Sequence, residues 1–234
     1  MLVEESPSAC ILADGLVRLP SMAMPKIGPA VRSRLGRYEI PAADAYRSMF
    51  INLEDCAEVI ASAWPATRIL EVGCGDGSFA QRLLDVYPEA TYVGIDVAAE
   101  PGRLFRGDSA RAEFMSIDSA TYRTTDPGSF DLVLLVDVLH HVPQQLRESV
   151  ARDVRELTEE GGHYVVKEWD PIPGPSHAAC WAADRFITGD KIEHVPSTTM
   201  KGWLARLQPE DMLVLQARIP PHRHNYLLGY QRAG

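Results

Sequence analysis

Glu71-Val72-Gly73-Cys74-Gly75-Asp76-Gly77 is the segment of this chain best composed for holding a ligand. It joins an apolar run of β type, Arg68 to Val72, to a helix predicted over Ser78 to Val86. Glycines at such a junction let the backbone turn sharply and approach a bound group more closely than any Cβ allows. Asp96 stands nineteen residues beyond Gly77, at the end of the next strand and just before Val97. A carboxylate there can accept both hydroxyls of a ribose. Strand, Gly-x-Gly-x-Gly, helix, strand and terminal Asp, in that order, predict a nucleoside site. A second polar group, Asp137-Val138-Leu139-His140-His141, follows the run Phe130 to Asp137. A neutral imidazole can take a proton from a hydroxyl, so His140 and His141 are the candidate general bases, His140 first.

The glycines do not fit a dinucleotide site. Read from Gly73, the last place of Gly-x-Gly-x-x-Gly is Ser78; read from Gly75, the middle place is already Gly77. Hydride transfer of the short-chain type would also want Tyr with Lys four residues later. None of the eight tyrosines has it, and Tyr164 has Lys167 only three away.

Short apolar runs alternate with amphipathic stretches from residue 67 onward, which is the βαβ pattern of a parallel sheet covered on both faces. The runs are Arg68 to Val72, Thr91 to Val97, Glu113 to Ile117, Phe130 to Asp137 and His163 to Lys167. Helices are predicted over Ala42 to Ala63, over Gln144 to Glu159 with Gly161-Gly162 ending it, and from a cap at Ser197 through Leu207. Met212 to Ile219 and Asn225 to Gln231 flank Pro220-Pro221 and predict an antiparallel hairpin. The fold class is therefore α/β: a Rossmann-like, doubly wound, seven-stranded sheet, mostly parallel, with an antiparallel C-terminal strand. Residues 1–40 read as an N-terminal arm or lid and 41–234 as the main domain, interrupted by a lid-like insertion at 169–196. The arm carries a basic cluster, Lys26, Arg32, Arg34 and Arg37, that permits an anionic acceptor.

Composition excludes several classes. Twenty-three Lys and Arg against 32 Asp and Glu give a net charge of −9, which repels a phosphate backbone and an anionic membrane surface. The longest apolar run, Leu132 to Val136, is far short of the roughly 20 residues of a membrane span. The N-terminus opens acidic rather than basic, and Cys10, Cys56, Cys74 and Cys180 have no metal or redox spacing. A cytoplasmic protein with reduced thiols is expected, with no nucleic-acid or membrane partner; monomer and dimer both stay open.

With these residues in view, Glu71 to Gly77 resembles the Glu/Asp-x-Gly-x-Gly-x-Gly motif of class I S-adenosylmethionine-dependent methyltransferases, and Asp96 is similar to their acidic residue after the second strand. The resemblance covers residues 40 to 232. Phe130 to Pro143 looks like the fourth-strand segment of the subgroup acting on small molecules, including the ubiquinone and menaquinone enzymes. It implies S-adenosylmethionine as cofactor and S-adenosylhomocysteine as product, with Gly73, Cys74, Gly75 and Gly77 around the methionine part and Glu71 nearby. Asp96 and Val97 would meet the ribose, Asp118 and Ser119 the adenine, and Asp137 the methyl donor. His141 matches a position that family often fills with His at a helix start. The implied reaction is methylation of a small organic acceptor, with oxygen preferred, then nitrogen, then carbon, in a biosynthetic role. No metal is expected, because the fifth strand ends Lys167-Glu168-Trp169-Asp170 without the adjacent Asp-Asn of the magnesium-dependent catechol type. Lys167 and Glu168 rank second for polar contacts. Two alternatives remain: another reaction on the nucleoside, such as cyclisation or aminopropyl transfer, and a non-catalytic partner.

Overall fold

The computed structural model describes residues 48, 50–125, 127–175, 177, 178 and 192–234. The arm with its basic cluster, Tyr38 and Tyr46, and much of the insertion, Trp181 and Phe186 included, lie outside the described residues. In chain order the elements are α1 (Leu53–Ala63), β1 (Arg68–Val72), α2 (Ser78–Val86), β2 (Thr91–Asp96), β3 (Ala112–Ser116) and α3 (Ser119–Thr124). There follow β4 (Phe130–Val136), α4 (Gln144–Leu157), β5 (Thr158–Trp169), α5 (Ser197–Leu207), β6 (Met212–Arg218) and β7 (Asn225–Gln231). One seven-stranded sheet runs β3-β2-β1-β4-β5-β7-β6. The first five strands are parallel, and β7 is inserted antiparallel between β5 and the edge strand β6.

The two-residue period of a strand sorts its side chains between two cores. Ile69, Leu132, Leu134, Val165 and Leu227 pack on one face with α1 and α2. Their neighbours Leu70, Val133, Leu135, Val166 and Leu228 pack on the other with α4 and α5. Continuous apolar runs are thus what a sheet covered on both sides requires. Chain order reverses at β1, which has β2 on one side and β4 on the other. A crevice opens at the carboxyl ends of strands flanking such a switch point.

Three sequence expectations shift. The helix predicted over Ala42 to Ala63 does not run through Asn52: Asn52 is an N-cap whose side chain accepts from Asp55 N at 3.2 Å, and α1 starts at Leu53. Positions 42–47 lie outside the described residues. The α4 helix stops at Leu157, before Gly161-Gly162. Thr158, a β-branched residue, takes extended angles, donates Oγ1 to Val154 O at 2.8 Å and opens β5. Ser197 is the first residue of α5 and does not cap it. The cap is supplied from across the fold by Asp170, which accepts from Ser197 N at 2.7 Å and from Ser197 Oγ at 2.8 Å.

Candidate functional site

The glycine-rich turn leaves β1 and is fastened to the end of β2: Gly73 N and Cys74 N both donate to Ile95 O, at 2.7 and 3.1 Å. Asp96 braces the same turn, accepting from Gly75 N on one carboxylate oxygen and from Ala98 N on the other, both at 2.8 Å. Gly73 has φ +80°, and a Cβ there would stand 2.3 Å from Val138 Cγ2. This glycine therefore lets the turn from β1 pack against the turn from β4. Gly77 has φ +83°, and a Cβ would meet Gly102 Cα at 2.8 Å, so its lack of a side chain serves packing. A Cβ at Gly75 would meet nothing within 4 Å: its face is open to the crevice.

That crevice is a cavity of about 510 Å³. Glu71, Gly73, Cys74, Gly75 and Asp76 wall one side, and Asp137, His140, His141, Lys167, Trp169 and His194 the other. The structure thus brings together seven of the residues singled out in the sequence for cofactor or catalysis at the ends of β1 and β4, His140 and His141 among them. Gly77, Asp96, Val97, Asp118 and Ser119 stand outside its walls. Asp118 caps α3, accepting from Thr121 N at 2.9 Å and Thr121 Oγ1 at 2.8 Å, while Ser119 Oγ donates to the buried Asp153 at 2.7 Å. Val97 is 80% exposed.

Glu71 is 3% exposed and accepts from Tyr92 Oη at 2.5 Å. Burial pushes its carboxyl up to about 8, against the Tyr92 hydrogen bond and with the help of the nearby Asp76 and Asp96 charges. Burial thus favours its protonated form.

Two polar pairs close the opposite wall. Asp137 adopts φ +55°, which Asp tolerates better than most residues, and donates its N–H to Lys167 O at 2.9 Å. Its carboxylate pairs with the buried Lys167 ammonium at 2.5 Å. One position along β5, Glu168 accepts from His140 Nδ1 at 2.6 Å on one oxygen, and from Val138 N at 3.0 Å and Leu139 N at 2.6 Å on the other. Burial opposes its ionisation, yet its interaction with His140, the backbone hydrogen bonds and the Lys167 charge hold its carboxyl below the usual range. An ionised Glu168 fixes His140 with its proton on Nδ1 and leaves Nε2 as the basic nitrogen.

The remaining wall is aromatic. Phe50 meets Trp169 edge to face, with centroids 6.3 Å apart, and Trp169 Nε1 donates to His177 Nδ1 at 3.2 Å. His194 sits 5.1 Å from the His140 ring, and burial drives its imidazole down to about 4, so it is neutral at ordinary pH. Among the described residues, His140, Glu168 and His194 form the group able to hold a metal ion. A magnesium site on Asp137 has no such support, since Lys167 occupies that carboxylate.

Lys167 and Glu168, second-ranked in the sequence, and His194, which falls in the insertion, all stand beside Asp137 or His140. The parallel neighbours β4 and β5 carried the signal for the first two, because residues leaving adjacent strand ends face one another. His194 had none: it is far from His140 in sequence.

A methyltransferase-domain family model matches residues 70–164. The ubiquinone biosynthesis O-methyltransferase of Aliivibrio fischeri strain MJ11 is 29% identical over 100 residues, 41% of this chain and 41% of that enzyme. The enzyme of the same description from Xanthomonas campestris pv. campestris strain B100 is 31% identical over 163 residues, 64% of this chain and 66% of that one. The chain therefore spans about two fifths of the first relative's length and just under two thirds of the second's. A solved structure of Burkholderia thailandensis 1,6-didemethyltoxoflavin-N1-methyltransferase, with that substrate and S-adenosylhomocysteine bound, has a TM-score of 0.60 and 16% identity. The likeness covers 96% of this chain and 99% of that one, and is one of fold. No helix among the described residues is long and apolar enough to cross a membrane. The sheet order, the glycine turn and these matches together make the chain similar to the class I S-adenosylmethionine-dependent methyltransferases of the small-molecule type.

Proposed function

We propose that the protein moves a methyl group from S-adenosylmethionine to an oxygen of a small organic acceptor and releases S-adenosylhomocysteine. The observation that carries this reading is the 2.6 Å His140–Glu168 pair, with His140 lining the same cavity as the glycine turn. The residues present suit the cofactor: an open glycine face at Gly75, a buried acid at Glu71 at the end of β1, and the Asp96 carboxylate that braces the turn from the end of β2. When bound, S-adenosylmethionine supplies an electrophilic methyl group on a sulfonium. Gly73, Cys74 and Gly75 would hold its methionine part through their backbone, and Glu71, ionising as it meets the ammonium, would answer that charge. Asp96 keeps lone pairs for the ribose hydroxyls beyond its two backbone contacts. Ser119 Oγ is spent on Asp153, which leaves contact with the adenine to Asp118 and to backbone groups.

On the acceptor side, Glu168 keeps His140 in the tautomer that can receive a hydroxyl proton on Nε2. Asp137 and Lys167 neutralise one another, so the wall presents an oriented dipole rather than a net charge. Phe50 and Trp169 exclude water and accept a flat apolar body. Oxygen is preferred over nitrogen and carbon because a hydroxyl must lose a proton to become a good nucleophile, and a base is what this wall provides. A biosynthetic role follows from an acceptor of this kind.

The test is a panel of phenols, amines and activated carbon acids incubated with trideuteromethyl S-adenosylmethionine and read by mass shift. Transfer to hydroxyls is expected, falling about 10²- to 10⁴-fold in His140→Ala while S-adenosylhomocysteine affinity is kept. Transfer to nitrogen alone, or an undiminished His140→Ala rate, would overturn the oxygen assignment.

A further inference from the structure

His140, Glu168 and His194 each offer one ligand atom, an imidazole nitrogen or a carboxylate oxygen, and these atoms lie within 4.8 Å of one another. They come from three separate pieces of chain: the turn after β4, the end of β5 and the segment entering α5. That last segment is fixed to the same rim. Glu193 N donates to His140 O at 3.3 Å, and Glu193 O accepts from Arg147 Nη2 at 3.1 Å. His140 and Glu168 are both buried, and His140 and His194 line the cavity.

Two imidazoles and a carboxylate suit zinc, iron(II) or nickel, whereas magnesium prefers an all-oxygen shell. At metal–ligand bonds of about 2.1 Å, two ligands of a tetrahedral ion stand about 3.4 Å apart. The Nδ1–Oε2 spacing of 2.6 Å would open by under an ångström, and the spacings to His194 would close by an amount that side-chain rotation supplies. We propose that this group is a binding site for a divalent transition-metal ion, with zinc as its reference ligand, and that the bound ion switches methyl transfer off. As the metal–nitrogen bond forms, the ring proton of His140 passes through solvent from Nδ1 to Nε2, so that a neutral imidazole coordinates through Nδ1, Nε2 is protonated and the hydrogen bond to Glu168 is replaced by coordination. His140 is then locked by the ion and no longer serves as base. The switch, though not the site, rests on the role assigned to His140 above.

Calorimetric titration with zinc chloride and with magnesium chloride, without cofactor or acceptor, tests the site. One zinc per chain and no magnesium heat are expected, with zinc affinity reduced at least about 10-fold in His194→Ala and unchanged in His222→Ala. His222 borders the same aromatic region, against Trp169, but lies outside the group, so it reports adventitious binding to the other histidines. S-adenosylhomocysteine binding to each variant shows that it is folded; should His194→Ala fail that check, His194→Gln takes its place. Absence of zinc binding in the wild type, or equal affinity in the folded His194 variant, overturns the site. Zinc that binds and leaves the transfer rate unchanged overturns the switch, and zinc inhibition lost in the His194 variant supports it.

Discussion

Glu71→Gln should make the protein relatively more stable as pH rises. The folded state holds the Glu71 carboxyl at about 8 because it is buried, against an ordinary value of 4.5. Between those two values the folded chain keeps a proton that the unfolded chain has lost. Stability attributable to the group is therefore fully present below pH 4.5 and declines as pH climbs toward 8. At about 1.4 kcal/mol per unit, a span of about three and a half units sets a ceiling of about 5 kcal/mol. Relaxation and water entry will reduce this to a few kcal/mol. Glutamine keeps the shape, can still accept from Tyr92 Oη and does not titrate, so the difference between wild type and variant isolates this one group. Urea unfolding at pH 5, 6.5 and 8 reads it. Wild type should lose stability relative to Glu71→Gln by a few kcal/mol across that range, with similar m values. A flat difference would refute the claim that this acid is held protonated, and with it the idea that a cationic ligand ionises it on arrival.

Gly73→Ala should cost about 2 to 4 kcal/mol, since it combines an unfavourable positive φ with the 2.3 Å approach to Val138 Cγ2. Val138→Ala in the same chain should return part of that loss in thermal unfolding, because only the collision is relieved. Glu168→Gln should lower kcat by about 10²- to 10⁴-fold with S-adenosylhomocysteine affinity retained. One amide cannot accept from both the Val138 and Leu139 N–H groups and His140 Nδ1–H, so the ring is released or takes the wrong tautomer. Asp170→Asn should destabilise the fold by about 1 to 3 kcal/mol at neutral pH by weakening the cap on Ser197 and the 2.7 Å pair with Arg218. The folded protein lowers the Asp170 pKa through those partners, despite burial, so this contribution exists above the unfolded value and vanishes as pH falls through the folded one. Acid titration of both proteins should show their stabilities converging.

The central strands were legible because burial on both faces demands unbroken apolar runs: Ile69-Leu70 and Leu132 to Val136 carry that signature within a residue of their true bounds. Element ends were less so. Thr158 ends α4 by a choice of backbone angles that the glycines downstream obscured, and Asp170 caps α5 from 27 positions away, a distance no local pattern encodes. The glycine turn was legible as a motif, yet the reason for each glycine differs. Gly73 and Gly77 yield to Val138 and Gly102, whereas a Cβ at Gly75 would meet open space. His140 could be named from its place after a strand. Its partner could not be chosen between Lys167 and Glu168 until the register of β4 against β5 was known.

That register explains how one strand end serves two purposes. Successive residues of a strand point to opposite faces, so Lys167 and Glu168 must diverge. Lys167 turns to the cavity and meets Asp137, the first residue past β4, while Glu168 turns the other way and meets the turn formed by Val138, Leu139 and His140. The turn itself is tight, with His141 N donating to Val138 O at 2.9 Å. Three consecutive N–H donors, from Val138, Leu139 and the His140 ring, converge on one carboxylate. A charge this well satisfied can stay buried without titrating, which is what a group that orients a base requires. Shifting β5 by one residue would exchange the two side chains: the ammonium would face backbone donors and the carboxylate would face Asp137. Packing therefore fixes the chemistry here, because Val165 and Val166 lock the register that sends Glu168 to His140.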